Sequence, residues 1–302
     1  MLHRTHWIAN NTGTLLINSK GVNVGSSFTF LKTIKSYADQ FNANEIHIAW
    51  DRKLSKETNF RNTLMEGEYK AGRDEERNKE VYAQVDGIIK LVNTLGIRNI
   101  FPNKLEADDV ISWLSQNIKG KKIIISVDRD FIQLISPDIS FYNPIKKQLI
   151  DIHNVEEHYG LNPREYLYYK AIMGDPSDNI KGIEGYGKVK SMKLAKAYHL
   201  HELGQPVSEK ELQVIDTNLK LIQDNLRLMD LGYGLIHISD EGEVYNLQHA
   251  ASTHLKPDFT EFRNLCAEYE FESILNQMNS WQSSFSKRAN NDILAGYFKA
   301  FE

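Results

Sequence analysis

Acidic side chains stand in four short clusters, far apart along this 302-residue chain. The clusters are Asp51; Glu106, Asp108 and Asp109; Asp128 and Asp130; and Asp175 and Asp178. Carboxylates gathered at one site repel one another, and they stay ionised together only where positive charge lies among them. Carboxylate oxygens are the ligands that Mg²⁺ and Mn²⁺ prefer. Two such ions about 4 Å apart are the usual apparatus of in-line phosphodiester hydrolysis. The clusters therefore predict a metal-dependent nuclease site.

The elements that must position these clusters alternate along the first half of the chain. Strand-like apolar runs at 14–17, 45–50, 97–101 and 122–127 are separated by helical patterns near 27–41, 78–95 and 106–118. This alternation predicts an α/β fold with a doubly wound, mostly parallel sheet. Ligand sites of such sheets lie beyond the carboxyl ends of the strands. Because Asp51, Glu106 and Asp128 each follow a predicted strand, we expect them to converge on one rim.

The pattern divides the chain into two regions. Residues 1–150 form the predicted α/β core, with an insertion at about 52–80 that is dense in both charges. Such an insertion at a functional rim is typical of a mobile lid or arch, although a solvated surface helix would have the same composition. Residues 151–302 have a helical texture, including a capping box at Ser208 and Glu211.

A glycine-rich turn followed by lysines lies within a helix–hairpin–helix pattern at about 174–200. Gly182, Gly185 and Gly187 allow backbone amides to approach a phosphate closely. The lysines are Lys181, Lys188, Lys190, Lys193 and Lys196. Such an element would grip a nucleic-acid backbone without reading bases. A glycine turn beside a solvated lysine face is the alternative, but the adjoining Asp175 and Asp178 favour function.

Composition limits the remaining classes. The net charge of −4 shows that the chain as a whole is not a basic nucleic-acid binder. The single cysteine, Cys266, excludes an internal disulfide and a cysteine-rich zinc site, so we expect a cytoplasmic protein with a buried structural thiol. Because no apolar stretch approaches the roughly 20 residues of a membrane span, we expect no membrane association. Nothing in the pattern indicates an obligate dimer, and we expect a monomer.

Four motifs resemble those of the 5′-nuclease (flap endonuclease) family of bacteriophages and of bacterial polymerase I nuclease domains, which is related to phage ribonuclease H. They are the E-A-D-D segment at 105–110, the S-x-D-x-D-x-x-Q-L segment at 126–134, the glycine hairpin at 174–187, and F-R at 60–61 with Y-K-x-x-R at 69–73. The resemblance spans about 14–198 and implies a PIN-like core with a helical arch. The absence of an attached polymerase favours the stand-alone phage type.

The resemblance also implies a division of labour. Asp51, Glu106, Asp108 and Asp109 would serve the first of two Mg²⁺ or Mn²⁺ ions, and Asp128, Asp130, Asp175 and Asp178 the second. Lys70 and Arg73 would stabilise the scissile phosphate, Tyr69 would stack on a base, Arg61 would contact the 5′ strand and Lys170 would support the phosphate. The hairpin at Gly182, Gly185, Gly187, Lys188, Lys190 and Lys193 would hold duplex, with K⁺ on its carbonyls.

The implied function is a structure-specific 5′ nuclease, cutting as an exonuclease and a flap endonuclease and removing RNA primers in phage DNA replication. Its partners would be branched DNA or RNA/DNA with a 5′ flap, and a sliding clamp or a single-strand-binding protein. The segment 291–298 resembles a clamp-binding pattern, although such apolar spacing is more typical of a packed terminal helix. Other hypotheses are a branched-DNA-binding protein without catalysis, a toxin-like ribonuclease and a small-molecule phosphatase. The hairpin argues against the last two.

One departure from the family bears on catalysis. Asn18 stands at the catalytic position where the family carries an aspartate. An amide oxygen can coordinate a metal, but it brings no negative charge and cannot act as a general base. We therefore expect weaker metal binding and slower turnover. Since every other acidic position is intact, an engineered or a tolerated change is favoured over a natural protein that only binds. In the hairpin, Val189 replaces the family's lysine and Tyr186 its aliphatic residue.

Overall fold

A computed structural model describes residues 1–11, 16–51, 59–66, 68–70, 83–233, 241–252 and 255–286. Its helices are α1 (Leu2–Asn11), α2 (Gly25–Gln40), α3 (Phe60–Leu64), α4 (Val85–Thr94), α5 (Ala107–Asn117), α6 (Val155–Tyr159), α7 (Pro163–Met173), α8 (Lys188–Glu202), α9 (Glu209–Met229), α10 (Glu241–Ser252), α11 (Phe259–Glu268), α12 (Glu272–Leu275) and α13 (Met278–Ser286). Its strands are β1 (His47–Ala49), β2 (Arg98–Ile100), β3 (Lys122–Ile125), β4 (Ile139–Asn143), β5 (Gln148–Ile150), β6 (Gly174–Asp175) and β7 (Ile180–Lys181).

The chain divides into two compact units that are interleaved in sequence. The first unit comprises residues 1–50, 74–101 and 245–302, and the second comprises 51–73 and 102–244. The predicted boundary at residue 150 is therefore not where the structure divides. The physical reason is that the C-terminal helices α11 to α13 complete the core of the first unit, packing with α2 and α4.

The first unit has its core around a parallel pair of strands, β1 and β2. Trp50, directly after β1, is stacked between Phe30 of α2 and Phe101, with ring centroids 5.8 and 6.3 Å apart. Phe262 and Trp281 close this core and are fully buried. Cys266 is also fully buried, and burial raises the pKa of its thiol to about 12, which confirms the predicted structural thiol.

The second unit is organised around three strands, in which β3 is parallel to β4 and β4 is antiparallel to β5. Helices α7 and α8 pack against each other through Tyr168 and Tyr198, whose ring centroids are 4.8 Å apart. Ile215 and Ile222 of α9 enter the same core. Ser208 caps α9, as predicted, by accepting a hydrogen bond from the backbone amide of Glu211. Parallel pairing is thus confirmed for the predicted strands β1 and β2, whereas β4, the parallel partner of β3, was not among the predicted strands.

Strand and helix ends place the acidic residues of the second unit. The backbone amide of Ser126 extends the pairing of β3 by donating to the carbonyl of Tyr142, and Asp128 follows and caps a 3₁₀ turn by accepting from the amide of Asp130 at 2.9 Å. Gly174 ends α7 with a φ of +75°, a backbone conformation that turns the chain into the β6–β7 hairpin. None of the helices in the described ranges is both long and apolar enough to span a bilayer.

Candidate active site

One pocket of the second unit gathers acidic side chains from all four clusters. Seven of the eight predicted carboxylates line it, together with Arg61, Lys70 and Tyr69. The seven are Asp51, Glu106, Asp108, Asp128, Asp130, Asp175 and Asp178. The clusters lie up to 127 positions apart in sequence, from 51 to 178, yet the predicted convergence occurs.

The N-terminus of α5 holds Asp51 and Glu106 in place. Asp51 accepts a hydrogen bond through its Oδ1 atom from the backbone amide of Ala107 at 2.9 Å. The amide of Glu106 donates to the Oδ2 atom of Asp109 at 3.1 Å. Negative charge is favourable at this end of a helix, because the unsatisfied amides and the helix dipole leave it partly positive. The segment Glu106–Asp109 can therefore carry three carboxylates without destabilising α5.

Glu106 lies at the centre of a network of donors from residues 61–70. The ammonium of Lys70 donates to its Oε1 atom at 2.7 Å, while the Tyr69 hydroxyl and the Arg61 guanidinium donate to Oε2 at 3.1 and 3.2 Å. Burial acts to raise the pKa of Glu106, but Lys70 and Arg61 outweigh it, so the pKa falls below its usual value. Glu106 is therefore a carboxylate at neutral pH.

A second cation, Lys170, neutralises the opposite group of carboxylates. Its Nζ atom lies 3.0 Å from Asp130 and 2.8 Å from Asp175. Burial acts to lower the pKa of Lys170, but these two carboxylates outweigh it and the pKa rises. The side chain that the sequence assigned to phosphate support thus bridges two predicted metal ligands.

Asp108 is the residue at which negative charge is least compensated. Burial raises its pKa to about 8, and Asp128, Asp51 and Glu106 add to the rise. A group of hard oxygen donors with such a surplus of negative charge fits a divalent cation. The seven lining carboxylates are the residues that would hold it. Within the described ranges, no three acidic or histidine side chains already converge closely enough to enclose an ion, since Glu106, Asp130 and Asp175 face lysines.

The raised pKa of Asp108 predicts a pH-dependent stability. Because the folded pKa is about 8 and the ordinary value is 3.8, the folded protein binds more protons than the unfolded chain between about pH 4 and 8. The free energy of unfolding should fall as pH rises through this window. We expect Asp108→Asn to be more stable than the wild type by on the order of 2 kcal/mol at pH 8, with no difference at pH 4. Urea unfolding in EDTA measures this, and a difference that does not grow with pH would contradict it.

Asp109 and Arg61 depart from their predicted roles. Asp109 is 0% exposed and does not line the pocket. Its two oxygens accept from the Arg61 guanidinium at 2.6 and 2.8 Å. Arg61 is only 2% exposed, so its guanidinium is not available to a 5′ strand. The reason is that a buried charge must be paired, and each of these residues satisfies the other. We correct both assignments: Asp109 and Arg61 form a buried ion pair at the wall of the pocket, which Arg61 lines and Asp109 does not.

The glycines of the hairpin have two different roles. A Cβ atom on Gly182 would overlap the backbone carbonyls of Met173 and Ile172, so this glycine permits close packing and not approach to a phosphate. Gly185 and Gly187 have open space where a Cβ would lie. Lys188 and Lys190 are exposed beside them, with Lys190 donating to the Gly185 carbonyl at 3.1 Å. Lys193 contacts Glu211 at 3.4 Å. Gly185, Gly187, Lys188, Lys190 and Lys193 are therefore open to a nucleic-acid backbone, because the Lys193 side chain remains 80% exposed.

These two roles predict that the same glycine-to-alanine substitution destabilises the protein by very different amounts at the two positions. Gly182→Ala should destabilise the fold by about 3 kcal/mol, because backbone carbonyls cannot move away easily. Gly187→Ala should cost at most about 1 kcal/mol, because its space is open and its φ is −79°. Urea unfolding of the two variants measures the contrast. Equal stabilities would show that the close packing at Gly182 is not important.

One wall of the pocket was missed by the sequence interpretation. Leu228, Met229 and Leu231 line it. Gln133 holds this segment, donating to the Met229 carbonyl and accepting from the Leu231 amide, both at 3.1 Å. The only signal in the sequence was Gln133 itself, a motif residue without an assigned role.

Two other predicted site residues are not part of the described pocket. Asn18 belongs to the first unit, where its Oδ1 atom accepts from the Val22 amide at 2.9 Å. Arg73, most of the predicted arch and the clamp-like segment 291–298 lie outside the described residues.

The site can be compared with known proteins. A curated "5′-3′ exonuclease" of Buchnera aphidicola subsp. Schizaphis graminum is 35% identical over 178 residues, which cover 58% of this chain and 60% of that relative. The zinc-bound T5 5′-exonuclease is similar in structure, with a TM-score of 0.63, 21% identity and coverage of 82% of this chain and 92% of that one. A bacteriophage T5 D15 flap endonuclease, in a complex with DNA and metal ions, has a TM-score of 0.56 at 21% identity and covers 81% and 91%.

These likenesses confirm the predicted α/β fold class. The chain spans 60% of the length of the two Buchnera relatives that it matches. Residues 1–160, more than half of the chain, match the family model described as "5′-3′ exonuclease, N-terminal resolvase-like domain". The chain therefore belongs to the 5′-3′ exonuclease family.

Proposed function

We propose that this chain is a structure-specific 5′ nuclease that hydrolyses phosphodiesters at 5′ flaps and 5′ ends with two Mg²⁺ or Mn²⁺ ions. The observation that carries the proposal is the pocket itself, where seven carboxylates and Lys70 meet in one unit. The bound metals of the T5 relatives support the same chemistry. Two divalent ions in such a pocket supply Lewis-acid activation of water and neutralise the phosphate.

The residues of the chain would divide the remaining work. Lys70 would leave the Oε1 atom of Glu106 and contact the scissile phosphate, where its charge stabilises the developing negative charge. Tyr69, bonded to Glu106 and lying 3.5 Å from Asp178, would keep these carboxylates oriented or stack on a base. Lys170 would hold Asp130 and Asp175 in position. Arg73 would act beside Lys70.

The substrate in this proposal is branched DNA. The T5 flap endonuclease carries DNA in its complex. Here the exposed lysines and open glycines of 185–190 would hold the duplex by its phosphates, with K⁺ on the hairpin carbonyls. The same enzyme would remove RNA primers in phage replication. It would contact a sliding clamp or a single-strand-binding protein.

A second candidate is a branched-DNA-binding protein without catalysis, and Asn18 is the observation that favours it. Cleavage of a labelled 5′-flap duplex in Mg²⁺, with this chain and with Asn18→Asp, separates the candidates. The carboxylate of Asp can still accept from the Val22 amide, so the variant should fold. We expect both chains to cut, and Asn18→Asp to cut faster at low Mg²⁺. If neither chain cuts although both bind the flap, the protein is a branched-DNA-binding protein without catalysis.

A further inference from the structure

We propose that Arg61 is a positioning residue, which holds one oxygen of Glu106 and the wall 228–231 so that the pocket can take its metal ions. This inference rests on the proposed function and deepens it. Arg61 belongs to α3, within the charged insertion, and its side chain is buried at the pocket wall. It would act through Glu106 and through the backbone of Leu228.

The contacts of Arg61 join three separate parts of the second unit. Its guanidinium forms a bidentate pair with Asp109 at 2.6 and 2.8 Å, and its Nη1 atom also lies 3.2 Å from the Oε2 atom of Glu106. Its Nε atom donates to the carbonyl of Leu228 at 2.8 Å. Planar geometry makes this set specific, because only a guanidinium presents donors in these fixed directions. One side chain thus connects α3, the start of α5 and the end of α9.

Burial protects these contacts from competition by water. Arg61 is 2% exposed and Asp109 is 0% exposed, so water cannot replace either partner. Burial acts to lower the pKa of Arg61, but the hydrogen bonds and the charge of Asp109 outweigh burial. The pKa of Arg61 therefore lies above its usual value. Removing one partner of the pair would leave an uncompensated buried charge.

The donors to Glu106 consequently differ in kind, and Asn59 adds a longer contact of 3.4 Å to Oε1. Lys70 is 22% exposed in its side chain, and it occupies the Oε1 atom from the open side of the pocket. Arg61 donates to Oε2 from the buried part of the pocket wall and shares this atom with the Tyr69 hydroxyl. When Lys70 moves to a phosphate, Arg61 keeps the carboxylate oriented and leaves Oε1 available to a cation. Residues that orient metal ligands in this way commonly set the affinity of the site by 10- to 100-fold.

Arg61→Lys is the first test, because lysine keeps the charge but loses the bidentate geometry. The matched control is Arg98→Lys in the first unit, where another buried arginine contacts Glu45 at 2.9 Å. Three quantities are measured for each variant: Mn²⁺ affinity by calorimetry without DNA, unfolding in urea, and the salt dependence of flap binding in EDTA. The proposal predicts that Arg61→Lys weakens Mn²⁺ binding about tenfold or more, and that Arg98→Lys does not change it.

The salt dependence separates positioning from DNA contact. Because Arg61 is buried, its substitution should leave the slope of log Kd against log salt unchanged, whereas loss of a phosphate contact would lower it by about 0.9. A lowered slope would overturn the proposal and return Arg61 to the nucleic-acid interface. Unchanged Mn²⁺ affinity in Arg61→Lys, beside a wild type that binds Mn²⁺, would also overturn it while leaving the proposed function intact.

A second variant keeps the test valid if Arg61→Lys does not fold. Arg61→Met with Asp109→Asn removes both buried charges together, which commonly preserves the fold. The proposal expects weakened Mn²⁺ binding in this double variant as well, because Glu106 has lost the guanidinium that orients its Oε2 atom. Wild-type affinity there would show that the pair is only structural. A wild-type chain that binds no Mn²⁺ would overturn the proposed function and this inference together.

Discussion

Asp128→Asn is expected to slow flap cleavage by about 10³-fold while making the fold more stable. The side chain projects into the pocket as one of the seven carboxylates, and its loss should remove about 4 kcal/mol of transition-state stabilisation. The same negative charge helps to raise the pKa of Asp108. Removing it relieves repulsion in the folded protein, so the free energy of unfolding should rise in EDTA. The two effects have opposite signs, which is characteristic of a functional site that is not optimised for stability.

Asp128→Asn is also conservative in shape. The asparagine carbonyl can still accept from the amide of Asp130, so the 3₁₀ turn should persist. Single-turnover cleavage at saturating enzyme and unfolding in urea measure the two effects. Asp138→Asn is the matched control, because this exposed aspartate lies beside the opposite end of β3, where its carbonyl accepts from the amide of Lys122. The control should keep the wild-type rate. A comparable loss in both variants would mean that net charge, and not this carboxylate, governs the rate.

The second large effect is expected for Lys70→Ala, which should lower kcat by about 10²- to 10³-fold. The ammonium of Lys70 lies 2.7 Å from the Oε1 atom of Glu106 and 4.7 Å from the ring centroid of Tyr69. This position lets the ammonium move to a phosphate in the pocket. Because Lys70 holds the pKa of Glu106 low, its loss should also shift the acidic limb of the pH–rate profile to higher pH.

Flap affinity distinguishes this role from simple binding. If Lys70 acts mainly in the transition state, kcat falls while the Kd for the flap in Ca²⁺ changes about threefold or less. Lys121→Ala is the control, since this lysine is 83% exposed in its side chain and contacts Asp138 at the far end of β3. A Lys70→Ala variant with normal kcat and weakened binding would make Lys70 a binding residue instead.

Several features could be read from the sequence because they depend on local chemistry. The clusters at the ends of three predicted strands were expected to meet, and they line one pocket together with Asp175 and Asp178 of the hairpin motif. The helix cap by Ser208 and the buried Cys266 were predicted from spacing alone and are present, although the carboxylate of Glu211 accepts from the Ser208 hydroxyl. Periodicity and capping depend on neighbours within a few residues, so a single sequence is enough to recognise them.

Tertiary structure alone decided which charges are paired and which glycines are packed. Arg61 meets Asp109 across 48 positions, and Gln133 meets Leu231 across 98. These contacts made Arg61 and Asp109 a buried ion pair, made Lys170 a bridge between two carboxylates, and gave the pocket an apolar wall. Gly182 was separated from Gly185 and Gly187 in the same way, by the carbonyls of α7. Burial and pairing depend on residues far apart in the chain, so motifs could name the charged residues of this site while only the folded chain determined their partners.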